Sequence, residues 1–229
     1  MRRLAAIAVG VAVLAACAGS SSPSADDTAS PAVTPPATSG TTRPAPTAPE
    51  SPEVEPRAPL LGLGDELFPE LGSADVDVQS YDVRLTVPAD SGAIDATVVI
   101  DAIVVDEVDV LPLDAAGLEV ATVTVDGAAT SFELVGSELL VDLPSGRADS
   151  IVAVIDYSFV PDGRRSVVGL PIGWRLGEGG SYVLNEPDGA RTWLPANDHP
   201  SDKASWRFDV TVPQGLVVAA NGELRRRGD

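Results

Sequence analysis

The chain has 229 residues, and its 34 acidic residues outnumber its 15 lysines and arginines, which gives a formal net charge of −19. This charge argues against nucleic-acid binding, which needs Lys and Arg to displace counterions from phosphates, and against electrostatic adsorption to anionic lipid. Because Cys17 is the only cysteine, an intramolecular disulfide is excluded.

The amino-terminal end has the organisation of an export signal. Two arginines are followed by an apolar stretch from Leu4 to Leu14, which is too short to cross a bilayer as a helix. Small residues then precede Cys17, an arrangement that resembles the bacterial lipobox, in which the thiol is acylated before cleavage. We predict a lipoprotein signal peptide over residues 1–16, with lipidation of Cys17 on the extracytoplasmic side of the bacterial cell membrane. The alternative is an ordinary secretory signal followed by an unmodified cysteine.

Residues 17–59 are rich in Pro, Ser, Thr and Ala. A segment of this composition cannot bury enough apolar surface to offset the entropy lost on ordering. Pro-rich chains extend by about 3.1 Å per residue in the polyproline II conformation. We therefore predict a disordered tether over residues 17–59 that holds the following domain away from the membrane.

The remaining residues, 60–229, are numerous enough for one globular domain with its own core. Apolar and polar residues alternate from Tyr81 to Val87 and again from Ile94 to Asp101, and Pro88 to Gly92 separates the two runs with turn-forming residues. This pattern predicts two half-buried strands in a hairpin. Further strands are predicted at Leu118–Val125, Ser131–Leu134, Leu139–Leu143, Ile151–Phe159, Tyr182–Leu184 and Trp206–Val212, with a tight turn at Asp126-Gly127.

No amphipathic helix of useful length accompanies these strands. The spacing of the strands therefore predicts an all-β domain, a sandwich or saddle of mainly antiparallel strands. Trp193 and Trp206 are expected to anchor its core, because the domain has few other aromatic side chains to fill its interior.

The sequence lacks the residues of the common catalytic sites. A hydrolytic zinc site takes three protein ligands, typically two His and a carboxylate, whereas His199 is the only histidine and no His-Glu-x-x-His is present. There is no Gly-x-Ser-x-Gly motif, and Ser, His and Asp show no diagnostic arrangement. We therefore predict no catalytic residue, no metal ligand and no cofactor in this chain, with His199 a hydrogen-bonding loop residue.

The most distinctive segment runs from Asn185 to Ala204. It contains, at fixed spacing, Glu186-Pro187, Ala190-Arg191, Leu194-Pro195, Asp198, Pro200 and Lys203-Ala204. These positions resemble a motif in the N-terminal domain of the aminopeptidase N family of zinc metallopeptidases. The resemblance continues into both flanks and implies that residues 60–229 are that β-domain, incomplete at the C-terminal end. It departs from the family at Pro195-Ala196-Asn197, where the family commonly has Pro-Cys-Phe.

The resemblance also implies a role for Glu186. In the family the matching Gln or Glu enters the catalytic cleft and holds the free α-amino group of a peptide substrate, a task that suits a carboxylate. The alternative is a surface acid paired with Arg191. For Asp198 and Pro200 we expect a structural role, with Asp198 capping the short turn that includes Pro200.

Together these features predict the N-terminal substrate-cleft domain of a lipid-anchored zinc aminopeptidase that removes N-terminal residues from peptides. Zinc is expected only with a catalytic domain that this chain lacks, so the chain is expected to be inactive alone. The alternative is a non-catalytic, lipid-anchored β-domain that binds a peptide or a protein partner. An in-frame His-Glu-x-x-His encoded after Asp229 would distinguish the enzyme from the binding module.

Overall fold

The computed structural model describes residues 57–90, 92–105, 108–166 and 168–228. The predicted signal peptide over residues 1–16, Cys17, and all but the last three residues of the predicted tether lie outside these ranges. Arg57, which belongs to the predicted tether, forms an ion pair with the buried carboxylate of Asp75. No helix in the described part of the chain is long and apolar enough to cross a membrane.

The described residues up to Val218 form one compact β-unit. Residues 219–228 belong to a second unit, and these ten described residues contain no helix or strand. The strands of the β-unit are β1 (Val76–Thr86), β2 (Ile94–Val104), β3 (Val110–Asp114), β4 (Glu119–Val125), β5 (Ala128–Ala129), β6 (Phe132–Val135), β7 (Glu138–Asp142), β8 (Ser150–Phe159), β9 (Gly173–Gly177), β10 (Gly180–Leu184) and β11 (Ser205–Thr211). The all-β prediction is confirmed.

The strands form three sheets. The largest has the order β11-β1-β2-β8-β4-β5, a second has the order β3-β7-β6, and β9 and β10 form a hairpin. All pairs are antiparallel except β1 with β11, which is parallel. The inward-facing residues of β1, β2, β4 and β8 share one hydrophobic core with those of β3 and β7.

The predicted hairpins follow the sequence pattern. In β1 the side chains of Tyr81, Val83 and Leu85 are buried, and β1 pairs with β2 as predicted. At the turn between β4 and β5, Asp126 and Gly127 both have positive φ angles, of 51° and 80°. A two-residue hairpin turn of this type requires both angles to be positive, which Asn or Asp followed by Gly provides.

The prediction that both Trp193 and Trp206 anchor the core is half right. Trp193 is buried, but Trp206 is 48% exposed and stacks on Tyr81 with 4.1 Å between ring centroids. Phe208, on the same strand, is 41% exposed and contacts both tryptophans. β11 is the outermost strand of its sheet. Its aromatic side chains therefore lie on the same face as the core but at its edge, where the other described strands cover them only in part.

Candidate functional site

The loop from Asn185 to Ala204 connects β10 to β11 and contains one turn of 3-10 helix, Ala190–Thr192. The loop leaves β10 through a tight turn in which the amide of Gly189 donates to the carbonyl of Asn185 over 2.6 Å. A side chain at Gly189 would place its Cβ 2.3 Å from the carbonyl oxygen of Leu184. Only glycine therefore allows the loop to lie this close to the end of β10.

The centre of the loop is fixed to β3. Asp114 and Ala196 exchange backbone hydrogen bonds of 2.7 and 3.1 Å, and the amide of Ala116 donates to the carbonyl of Arg191 over 2.8 Å. The indole of Trp193 is buried, and its Nε1 donates to Oδ1 of Asn185 over 2.8 Å. The buried Trp193 is thus hydrogen-bonded to Asn185 at the start of the loop, so the two ends of the Asn185–Trp193 segment are joined directly.

Asn197 connects the loop to the start of β1. Its Oδ1 accepts from the amide of Ser73 over 2.7 Å, and its Nδ2 donates to the carbonyls of Ser73 and Val76 and to Asp202. Its backbone amide donates to the hydroxyl of Tyr81 over 3.0 Å. The family motif differs from this sequence at Asn197, but no other sequence pattern indicated this role, because all its partners except Asp202 lie more than a hundred residues away.

Asp198 caps a different turn from the one predicted. Its Oδ2 accepts from the backbone amide of Arg191 over 3.0 Å, so it satisfies the 3-10 turn before it in sequence and not the turn that includes Pro200. Burial, together with the neighbouring Asp114 and Asp188, raises the pKa of the Asp198 carboxyl to about 6. The structural role predicted for Asp198 is therefore correct in kind but wrong in its partner.

Glu186 is exposed and lies at the start of the loop, two residues after the end of β10. The alternative prediction paired it with Arg191, and this pairing is wrong, because the Arg191 guanidinium donates to the buried carboxylate of Asp188 over 3.0 Å. None of the ion pairs among the described residues includes Glu186. The loop therefore presents the exposed carboxylate of Glu186. Arg191, the cation that was predicted to pair with it, is bound to Asp188 instead.

His199 does not belong to a metal site in the described structure. Within the described ranges, no group of three or more His, Cys, Asp or Glu residues is arranged to hold a metal ion. His199 is a hydrogen-bonding loop residue as predicted, because its Nδ1 lies 2.7 Å from the hydroxyl of Ser201.

The structure does bring Ser201, His199 and Asp65 together, which the sequence did not suggest. However, Nδ1 of His199 also accepts from the backbone amide of Ser201 over 3.2 Å, while Nε2 lies 3.7 Å from Asp65, beyond hydrogen-bonding range. Asp65 in turn accepts from the amides of Leu67 and Phe68. These contacts are those of two adjoining turns and not of a nucleophile activated by a base.

A shallow depression of about 460 Å³ lies on the outer face of the six-stranded sheet. Polar side chains such as Arg84, Thr97 and Asp156 line it, and both threonines that flank Asp156 donate to its carboxylate. None of its lining residues comes from the Asn185–Ala204 loop. The depression is therefore separate from the segment that carries Glu186.

Comparison with known proteins places the chain beside zinc aminopeptidases. The structure of an M1 zinc metallopeptidase mutant from Deinococcus radiodurans, bound to a Tyr-Ser-Ala substrate, superposes with a TM-score of 0.60 at 30% identity over 71% of this chain and 40% of that protein. A probable aminopeptidase 1 from Saccharolobus solfataricus is 31% identical over 121 residues, which are 52% of this chain and 15% of that protein. A leucyl aminopeptidase from the same organism is 31% identical over 112 residues, 48% of this chain and 13% of that protein.

No family model matches the chain. The chain spans less than half the length of the relatives it matches. Within that span the sequence and the fold agree with each other, because the relatives related by sequence are aminopeptidases and the structural match is an M1 zinc metallopeptidase. The predicted family is therefore confirmed: this chain carries an N-terminal β-domain of the M1 zinc aminopeptidase family.

Proposed function

We propose that this domain forms one wall of the substrate cleft of a lipid-anchored zinc aminopeptidase and that Glu186 holds the free α-amino group of the peptide substrate. The zinc and the catalytic residues belong to a catalytic domain outside this chain. The observation that carries the proposal is the exposed carboxylate of Glu186 on a loop whose other acids are engaged internally.

The chemistry of amine binding suits this loop. A substrate ammonium is a compact cation with three donors, and a carboxylate accepts from it through charge-assisted hydrogen bonds. Since Arg191 is bound to Asp188, it does not compete for Glu186. The fixed path of the loop through Trp193 and Asn197 reduces the ordering entropy that substrate binding must offset. A peptide with a blocked N-terminus lacks the cation and is expected to bind poorly.

Replacing Glu186 tests this proposal. In a full-length M1 relative whose loop is replaced by residues 185–204 of this chain, Glu186→Ala should remove the partner of a desolvated ammonium. Loss of a hydrogen bond to a charged group costs about 1.5–3 kcal/mol, so we expect kcat/KM for aminoacyl p-nitroanilides to fall about tenfold to a hundredfold. Glu186→Gln keeps an acceptor and should retain more activity than Glu186→Ala.

Lys203→Ala provides the matched control, because Lys203 is an exposed residue of the same loop. Both variants should melt at the temperature of the parent graft. Equal kinetics for Glu186→Ala and Lys203→Ala, with normal melting, would assign Glu186 to the loop surface and reject its role in substrate binding.

We further propose that Cys17 carries the lipid that holds the protein on the extracytoplasmic face of the bacterial cell membrane. Each buried CH₂ contributes about 0.8 kcal/mol to membrane binding, and stable anchoring takes more than one acyl chain. The net charge of −19 would repel an anionic surface, so anchoring depends on acylation. Residues 17–59 would then set the distance between the membrane and the β-domain.

Substitution of Cys17 tests the anchor. In cells labelled with a radioactive fatty acid, the wild-type chain should incorporate label and partition into detergent, whereas Cys17→Ser should carry no label. Ser20→Ala, close by in the sequence, should behave as wild type. Equal labelling of Cys17→Ser and wild type would show that Cys17 does not carry the lipid.

One observation favours the second candidate function, a non-catalytic module that binds a peptide or protein. β11 lies at the edge of its sheet with Trp206 and Phe208 half exposed, which is the kind of strand to which an extended peptide can add. We place it second, because it makes no use of the Glu186 loop, the segment whose sequence most closely follows the family motif.

A further inference from the structure

The guanidinium of Arg191 forms an ion pair with Asp188 and interacts electrostatically with three further carboxyl groups, those of Asp114, Glu138 and Asp198. We call these four carboxyl groups the carboxyl cluster. Asp114 ends β3, Glu138 begins β7, and Asp188 and Asp198 lie on either side of the 3-10 turn in the loop. Asp114 and Glu138 are direct cross-strand partners, so two acids face each other where like charges are destabilising. The cluster joins the second sheet to the loop that carries Glu186.

The hydrogen bonds of the cluster leave acceptors without donors. Oδ2 of Asp114 accepts from the amides of Gly72 and Asp198, over 3.0 and 2.8 Å, but the buried Oδ1 has no partner in the described structure. Oδ2 of Asp188 accepts from Arg191, and its buried Oδ1 likewise has none. Asp114 and Asp188 are only 2% and 1% exposed, so water cannot readily replace the missing donors.

One guanidinium cannot neutralise four carboxylates, of which Asp114 and Asp188 are buried and Glu138 and Asp198 partly buried, so some of the carboxyl groups must bind protons instead. Burial, with Asp114 and Glu70 beside it, raises the pKa of the Glu138 carboxyl to about 8 against the opposing effect of Arg191. Burial also raises the pKa of Asp114, although two backbone amides and Arg191 oppose it. At neutral pH the cluster therefore retains at least one proton, which removes a charge and supplies a donor.

We propose that the carboxyl cluster is a proton-linked lock that fixes the Asp188–Asp198 loop to β3 and β7 while it holds its protons and releases the loop when it loses them. The groups that face the cluster are Glu70 before β1, Asp114 on β3, Glu138 on β7, and Asp188, Arg191 and Asp198 of the loop. An effect of the lock on substrate binding rests on the proposed role of Glu186, whereas the lock itself does not.

The direction of the effect follows from linkage. A carboxyl group whose pKa is raised on folding binds more protons in the folded state, so its contribution to stability is complete below its ordinary pKa and is lost as the pH rises through the raised value. For Glu138 this window runs from 4.5 to about 8, and for Asp198 from 3.8 to about 6. The loop should therefore loosen as the pH rises across neutrality.

Amide hydrogen exchange on the full chain tests the lock. After correction for intrinsic exchange, the protection of the amides of Arg191 and Asp198 should fall about tenfold between pH 6 and pH 9. In the opened loop the carboxyl groups have their ordinary pKa values and are ionised, so opening becomes more favourable as the pH rises. The amides that pair β2 with β8 should keep theirs. Glu138→Gln, which imitates the protonated acid, should reduce the loss at the loop, and Glu133→Gln on the exposed face of β6 should not.

If Glu138→Gln does not fold, Asp198→Asn and the wild-type titration still decide the question. Protection of the loop that is independent of pH, or a loss shared equally by the loop and by β2 and β8, would overturn the lock. Neither result depends on whether Glu186 binds a substrate, so the two proposals fail separately.

Discussion

The purified chain is expected to self-associate through the outer edge of β11. Among the described strands, only β1 pairs with β11, so the other side of β11 has no neighbouring strand there. Trp206 and Phe208 add half-exposed aromatic surface beside that edge, and the strand Ser205–Thr211 contains no proline or lysine to block pairing. The weight-average mass from light scattering should rise with protein concentration, and more steeply in high salt, which screens the net charge of −19.

A matched pair of variants separates edge pairing from general hydrophobic adhesion. Phe208 and Val152 are both 41% exposed, but Phe208 lies on the edge strand whereas Val152 lies on β8, which is paired on both sides. Phe208→Lys should restore the monomer, while Val152→Lys, which changes the net charge equally, should associate like wild type. A monodisperse wild-type monomer with a cooperative, high-temperature melt would contradict the prediction and favour a stand-alone binding module.

The sequence predicted most of this sheet because alternation records which face of a strand is buried. The prediction missed two strands that show no such alternation. β3, Val110–Asp114, was missed because four of its five residues are buried, so it shows no alternation and also contains Pro112. β9, Gly173–Gly177, was missed because two glycines enclose only three other residues. The exposure of Trp206 could not be read from composition, since it depends on which strand lies beside β11.

The candidate site, like the fold, could be predicted only in part from the sequence. The motif located the loop and selected Glu186, because the spacing of matching residues is visible in one segment of the sequence. The internal contacts were not predictable. Arg191 pairs with Asp188 and not with Glu186, and the choice between acids at similar separations depends on the direction in which the turn at Gly189 sends the chain.

Asn197→Ala is expected to destabilise the domain more than truncation to alanine at any other polar residue of the Asn185–Ala204 loop. The asparagine side chain satisfies the amide and carbonyl of Ser73, the carbonyl of Val76 and a carboxylate oxygen of Asp202, and alanine would leave these groups without it in a buried site. Each buried group left unsatisfied costs about 1–3 kcal/mol. Allowing for relaxation, we expect a loss of about 3–5 kcal/mol, a large part of the roughly 5–15 kcal/mol that stabilises a domain.

Urea unfolding at pH 6, which is below the raised pKa of about 8 of Glu138, measures this loss. Asn197→Asp keeps the shape of the side chain but turns a donor into an acceptor that faces two carbonyls and Asp202, so it should destabilise the domain at least as much as alanine. Asn221→Ala, at an exposed asparagine, should change the unfolding free energy by less than about 0.5 kcal/mol. If Asn197→Ala unfolded at the same urea concentration as Asn221→Ala, water would have to replace the side chain at every contact, and the loop would not depend on Asn197 for its position against β1.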